Sequence, residues 1–316
     1  MNRVTMPVMN RRLALVAAAL PFLAAGCPSS STVQHDSAPV LADKITGPRL
    51  RIAIVEFENK TTYGQRLGSA SADILVTELA KTDRFILIER QKLEKIMQEQ
   101  KLGMTGVVDP DTAAKVGRVL GAAAIVTGAV SEFGVKTEGS DALIAETKRQ
   151  IAEAGVDVRI IDAETSQILY AESGHGKATN ETGSFLGLGS HSSYDEGLEG
   201  KALRAAITGF ANNLTSRLMQ IPWSCRIADM DGPTMYLDAG LRSRLAVGTI
   251  LEVVHLGAEI KSPATGLVIG RKEAVLGKAR VTKSLGEDAS QASMVEGNAP
   301  AKGDLCRIIV GENKGY

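Results

Sequence analysis

Three cysteines, Cys27, Cys225 and Cys306, are the residues of this 316-residue chain best suited to covalent chemistry. A thiol can be acylated or joined to a second thiol, and its surroundings decide between the two. Cys27 ends the run Leu23-Ala24-Ala25-Gly26-Cys27, which closes an apolar stretch, Leu13 to Ala25, broken by Pro21 and preceded by Arg11 and Arg12. A basic start, a short apolar segment and small residues before a cut are the three parts of an export signal. The mature chain is therefore expected outside the cytoplasm.

The run resembles a bacterial lipoprotein signal, whose cysteine becomes the new N-terminus and carries lipid. Pro28 stands where inner-membrane lipoproteins often have Asp, so the expected address is the periplasmic face of the outer membrane. The alternatives are a transmembrane helix and an ordinary cleaved signal. The apolar stretch Leu13 to Ala25 falls short of the roughly 20 residues that a span needs, and an ordinary signal has no use for a cysteine at the cut. Lipid on Cys27 is the leading expectation, its acyl chains holding the protein on the leaflet at about 0.8 kcal/mol per buried methylene.

Cys225 and Cys306 remain, and the periplasm permits disulfides. They open two similar strings, Cys225-Arg226-Ile227 and Cys306-Arg307-Ile308, which bracket a C-terminal unit and fit its first and last strands lying side by side. A bridge closing a loop of about 80 residues would stabilise by roughly 4 to 5 kcal/mol in the chain-entropy description. Two buried free thiols are the alternative, because spacing alone does not fix pairing. His35, His175, His191 and His255 are scattered without ligand spacing, so no metal or other cofactor is expected.

Lys plus Arg and Asp plus Glu number 36 each, which leaves no global field toward nucleic acid or an anionic surface. Partners must be selected by shape, and nucleic acid is not among those expected. The 290 residues that remain after a 26-residue signal suit about two domains. The expected division is a signal over 1–26, a flexible tether rich in Ser, Pro, Asp and Thr over 27–48, an α/β domain over 49–221 and a small all-β barrel over 222–316.

Leu50 to Phe57 is apolar on both alternating faces, as in a central strand covered on both sides. Ala70, Ile74, Leu75 and Leu79 recur at helical spacing, Phe85 to Ile88 reads as a strand, and Leu93, Ile96 and Met97 begin another amphipathic stretch. Asp109-Pro110-Asp111 supplies a cap and a first-turn proline for a helix through Ala113, Val116 and Leu120. A strand from Ala123 to Val130 and a hairpin of Val156 to Ile161 with Ile168 to Ala171 extend the sheet. Leu203, Ile207, Phe210, Leu214, Leu218 and Ile221 make one helical stripe, expected to cover it. Beyond Pro222, short strands appear at Thr234 to Leu237, Thr249 to Val254, Leu267 to Ile269, Ala274 to Val281 and Leu305 to Val310, a barrel-like spacing.

The strings Arg51 to Asn59 (RIAIVEFEN), Phe85 to Gln91 (FILIERQ), Leu93 to Gln100 (LEKIMQEQ), Gly121 to Gly128 (GAAAIVTG) and Val156 to Thr165 (VDVRIIDAET) together resemble the CsgG family of curli assembly and transport lipoproteins. The likeness runs over roughly 50–221. Gly240, Val247-Gly248, Ser262 to Gly266 (SPATG), Gly270 and Gly303-Asp304 resemble the C-terminal domain of FlgT-like flagellar T-ring proteins, although such glycines also serve ordinary turns. The fold implied is a CsgG-like α/β domain, a mixed sheet with packed helices, followed by a small SH3-like all-β barrel.

The resemblance implies a homo-oligomeric ring in which each member gives two β-hairpins to a secretion barrel. Physics opposes the hairpins here. The first, about Gly134 to Gly155, would place Asp141, Arg149 and Glu153 on one face and Lys136, Glu138, Glu146 and Lys148 on the other, and an Arg or Lys facing lipid at midplane costs about 2 to 4 kcal/mol. The second, Thr179 to Gly197, is short and polar. Leu143 to Ala154 (LIAETKRQIAEA) is instead expected to be a surface helix or a mobile arm. No nucleophile elbow or phosphate loop occurs, and Gly183 to Gly189 (GSFLGLG) has a cradle's glycines without a Lys, so catalysis is not expected. The expected role is a non-enzymatic component of envelope assembly or secretion. An LpoB-like regulator of a cell-wall synthase and a true CsgG-type pore are the alternatives.

Overall fold

A computed structural model of the chain describes residues 30–34, 47–64, 66–88, 117, 119–142, 145–185, 188–189, 197–264, 266 and 268–309. Cys27 and the amphipathic stretch beginning at Leu93 lie outside the described residues, as does most of the helix expected through Ala113.

The first body comprises β1 (Ser30–Gln34), β2 (Leu50–Ile54), β3 (Glu58–Asn59), α1 (Leu67–Lys81), β4 (Phe85–Ile88), β5 (Ala124–Ala142), β6 (Ala145–Asp162), β7 (Ile168–Phe185), β8 (Leu188–Gly189) and α2 (Gly197–Leu218). The sheet order is β1-β7-β6-β5-β2-β4, with β3 against β5 and β8 against β7. β2 runs parallel to both its neighbours, whereas β5, β6, β7 and β1 are successively antiparallel. The sheet is therefore mixed. Ile52 and Ile54 face the core beneath α1 and α2, while Ala53 and Val55 join Ile125 and Ile161 in a smaller cluster. Burial on both sides is what the continuous apolar run of β2 requires.

The stripe Leu203, Ile207, Phe210, Leu214 and Leu218 is at most 1 % exposed, and α2 uses it to cover β6 and β7. Two glycines allow that approach. A Cβ on Gly174 would lie 2.2 Å from the Ala206 carbonyl oxygen, and one on Gly176 would lie 2.1 Å from that of Ala202. Helix backbone cannot step aside as a flexible side chain can, so a Gly176→Val variant is expected to lose about 3 kcal/mol in urea unfolding followed by circular dichroism.

Strands β5, β6 and β7 run well beyond the short segments expected. Together they form an arm of three strands that continues past the part of the sheet covered by α2. This corrects the surface helix expected over Leu143 to Ala154, of which Ala145 onward lies in β6. Ala, Glu, Lys and Arg favour helix, but pairing on both edges, with β5 and β7, satisfies the backbone, and Ile151, Ala152 and Ala154 are buried on the sheet. Thr179 to Phe185 is likewise strand, the outer part of β7, and the glycine-rich run that follows includes the two-residue β8. Ser30–Gln34 falls within the stretch expected to be a flexible tether and forms β1 on the open edge of β7. An edge strand offers a row of unpaired backbone groups, and a short segment centred on Thr32 and Val33 can take it.

The second sheet holds β9 (Ser224–Asp231), β10 (Thr234–Leu237), β11 (Ile250–Lys261), β12 (Val268–Ser284), β13 (Ser290–Gly297) and β14 (Leu305–Ile308). It closes in the order β10-β13-β12-β11-β14-β9, with β9 pairing back to β10. Ile227, Met235, Leu237, Leu251, Val253 and Val281 fill it. The two strands expected at Leu267 to Ile269 and Ala274 to Val281 are one, β12.

Candidate functional site

Cys225 on β9 and Cys306 on β14 occupy directly opposed positions of an antiparallel pair. Sequence placed them on neighbouring first and last strands, and the structure brings them together in the barrel wall. Both are buried free thiols. The hydrogen bond with the Cys306 thiol, then burial, push the Cys225 thiol well above the ordinary range. Protonated thiols are poor nucleophiles, so this pair is not arranged as a catalytic cysteine.

Cys225 also borders a cavity of about 310 Å³ where the barrel meets the root of the first sheet. The Arg49 N–H donates to the Ser243 carbonyl at 2.9 Å, the Trp223 indole N–H donates to the Arg49 carbonyl at 3.0 Å, and Arg51 Nη2 donates to the Asp238 carbonyl at 3.0 Å. Arg226 meets Glu164, and Asp83 receives both Arg49 and Arg244. Glu164 is aimed by its turn: Asp162 Oδ1 accepts from the backbone N–H of Glu164 at 2.9 Å and of Thr165 at 2.7 Å, which fixes the β6–β7 corner as an Asx turn. The carboxylates of Glu164 and Asp83 are each engaged by at least one guanidinium, Asp83 by two. That is the chemistry of a joint between two bodies, not of an acid and base poised on a substrate. Each partly exposed pair contributes at most about 1 kcal/mol. A Trp223→Phe variant keeps the ring and loses the indole donor, so it is expected to unfold about 1 kcal/mol more easily by circular dichroism in urea. Sequence reasoning missed this joint: Arg51 and Glu164 lie within two of the family-like strings but were read there only as strand and turn, and Arg49 and Trp223 were not singled out.

The arm is the third feature. Arg149 pairs with Glu181 at 3.1 Å and Lys177 with Glu153 at 2.9 Å across its strands. The Lys177 hydrogen bond holds the Glu153 carboxyl below its ordinary value. Among the described residues no group of His, Cys, Asp and Glu could hold a metal, and no helix is long and apolar enough to cross a membrane. His255 Nδ1 lies 2.7 Å from Oδ1 of the buried Asp304, a two-residue pair rather than part of a ligand set.

Residues 38–231 match the family described as curli production assembly/transport component CsgG. The chain belongs to the CsgG family. It is 30% identical over 229 residues to the Neisseria meningitidis serogroup B protein named "Putative lipoprotein NMB1126/NMB1164", an alignment covering 69% of this chain and 98% of that one. Among solved structures, lipoprotein GNA1162 from Neisseria meningitidis aligns at 15% identity and a TM-score of 0.32 over 54% of this chain and 99% of that one. A PelC dodecamer from Paraburkholderia phytofirmans aligns at 17% identity and a TM-score of 0.28, over 60% of this chain and 97% of that one. The LpoB C-terminal domain from Escherichia coli gives 16% identity and a TM-score of 0.29, over 43% of this chain and 88% of that one. Scores this low lend no weight to any statement about the role of this chain.

Proposed function

We propose that the protein is a lipid-anchored, non-enzymatic component of a cell-envelope assembly or secretion system, held on the periplasmic face of the outer membrane by lipid on Cys27. The observation that carries this reading is the CsgG family match over residues 38–231, which begins shortly after the signal and its cysteine. In this reading 1–26 is removed, 49–221 is the CsgG-like working domain, and 222–316 is an SH3-like barrel of the FlgT type. Copies associate into a homo-oligomer, and the partners are other envelope proteins.

β1 favours a body kept close to the membrane over an LpoB-like regulator reaching across the periplasm. Only Pro28 and Ser29 separate Cys27 from the strand, so the free slack is roughly 10 Å at about 3.3 to 3.6 Å per residue. The test is mass analysis of the N-terminal peptide from membrane-extracted protein, with light scattering on the same detergent sample. An acylated Cys27 and a particle of several copies are expected. An unmodified N-terminus, or recovery from the cytosol, would remove the anchor. A monodisperse monomer would restore the regulator.

A further inference from the structure

We infer that the cavity between the barrel and the root of the first sheet is a binding site for the carboxylate-bearing end of an apolar chain, as a fatty acid or a protein's C-terminus presents it. Such a site needs neither the anchor on Cys27 nor the assembly role proposed above.

Two walls meet at this cavity. On the α/β side Arg51 lies beside Ile86 in the register of β2 with β4. On the barrel side Ser224, Arg307 and Glu252 form one row across β9, β14 and β11. The next row, Cys225, Cys306 and Val253, belongs to the barrel core, so by strand alternation the Ser224 row is on the outer surface, toward the joint. Trp223, Leu256 and Leu305 complete the apolar part of the lining. The space of about 310 Å³ equals about ten waters at roughly 30 Å³ each and stands at the small end of the roughly 300 to 1,000 Å³ typical of ligand sites. Sites of that kind favour seams between bodies, where apolar walls hold the ligand and a few polar groups orient it.

The hydrogen-bonding capacity left on those walls selects the ligand. Each lining carboxylate already has donors: Asp162 has its turn amides, Asp238 Oδ1 the Arg226 backbone N–H at 2.7 Å, Glu273 the Arg307 guanidinium at 3.0 Å, and Glu164 that of Arg226. Two guanidiniums are less fully engaged. Arg51 Nη1 stands 3.8 Å from the Asp238 carboxylate and Arg271 Nη2 stands 3.6 Å from that of Glu259, both beyond hydrogen-bond reach. The Ser224 hydroxyl is likewise without a hydrogen bond among the described residues. Arg51 is also held in place. Gly121, in left-handed backbone at φ +62°, leaves the room it needs, because a Cβ there would stand 2.9 Å from Nη1. Spare donors beside satisfied acceptors favour an anion, and a guanidinium fork matches a carboxylate. The apolar remainder of the lining suits the chain behind that carboxylate.

The test titrates the full-length Cys27→Ser protein, free of detergent, with octanoate and with N-acetylleucine, each against its neutral counterpart, octanol and N-acetylleucinamide. Trp223, the single Trp of the chain, lines the cavity and reports binding through its emission. A saturable change at one ligand per protein is expected for at least one acid, which binds about tenfold more tightly than its neutral counterpart, as one hydrogen bond to a charged group implies. The tighter acid identifies the source, octanoate a lipid and N-acetylleucine a protein terminus. Ser224→Leu removes no hydrogen bond and fills the space, so it is expected to weaken both acids about tenfold or more, whereas Arg51→Gln is expected to weaken the acids and leave the neutral compounds unchanged. Folding of each variant is followed by circular dichroism, and Arg271→Gln with Ser224→Leu carries the comparison if Arg51→Gln does not fold. The absence of a saturable response to either acid overturns the site. Equal affinity for acid and neutral compound overturns the carboxylate, and an unchanged response in folded Ser224→Leu overturns the location.

Discussion

Oxidised protein is expected to withstand denaturant by about 4 to 5 kcal/mol more than the same protein reduced, measured on the barrel by urea unfolding with and without dithiothreitol. The expectation is that the opposed Cys225 and Cys306 join in the periplasm. Directly facing residues of an antiparallel pair have Cα atoms about 4.5 to 5.5 Å apart, within the span a disulfide bridges without backbone movement. The loop closed is nearly the whole barrel, so the loss of freedom in the unfolded chain is large. Timing matters as well. Exchange needs a thiolate, and the hydrogen bond and burial at Cys225 disfavour that form, so the bridge should form during folding rather than in the finished barrel. Reduced, folded protein should accordingly take up iodoacetamide slowly at both thiols and rapidly once unfolded. Equal stability in the two redox states, with both cysteines alkylated in periplasmic extracts, would leave them as buried thiols.

Purified protein carrying Cys27→Ser is expected to stay in solution and to show no channels in planar bilayers. The β5–β6 hairpin is long enough to span, since a tilted barrel strand needs about 9 to 11 residues. Its composition decides the matter. In the observed register Lys136 and Arg149 fall on one face of the hairpin and Lys148 on the other, so whichever face met lipid would bring in at least one such side chain, at about 2 to 4 kcal/mol each near midplane. Cross-strand pairs such as Arg149 with Glu181 suit water on the face of the arm that bears them. Reproducible single-channel steps from that preparation would show that the arm does span.

Much of the core was legible because burial imposes a period. The double-sided run of β2, the short strand Phe85–Ile88 and the stripe of α2 all follow from apolar spacing, and each stands where that spacing puts it. The arm was not legible for the same reason reversed. Beyond the cover of α2 its strands are solvated, so alternation fades and the helix-forming composition of residues 145–154 points the wrong way. β13 escaped notice because the residues it turns inward, Ser290 and Ala292, are small. β1 escaped because pairing with β7, and no hydrophobic face of its own, makes it a strand. Of the candidate site, the facing cysteines could be read from repeated Cys-Arg-Ile strings, whereas the joint depends on arginines brought together from distant parts of the chain.

The antiparallel seating of β1 bears on force. With an anchor at Cys27, a pull that draws the body away from the membrane drags β1 outward while β7 is drawn inward through its root. The two strands are thus loaded in shear, so the hydrogen bonds along Ser30 to Gln34 share the tension instead of unzipping singly. The first mechanical element between such an anchor and the body is then a stiff clasp, which yields only when several bonds break together.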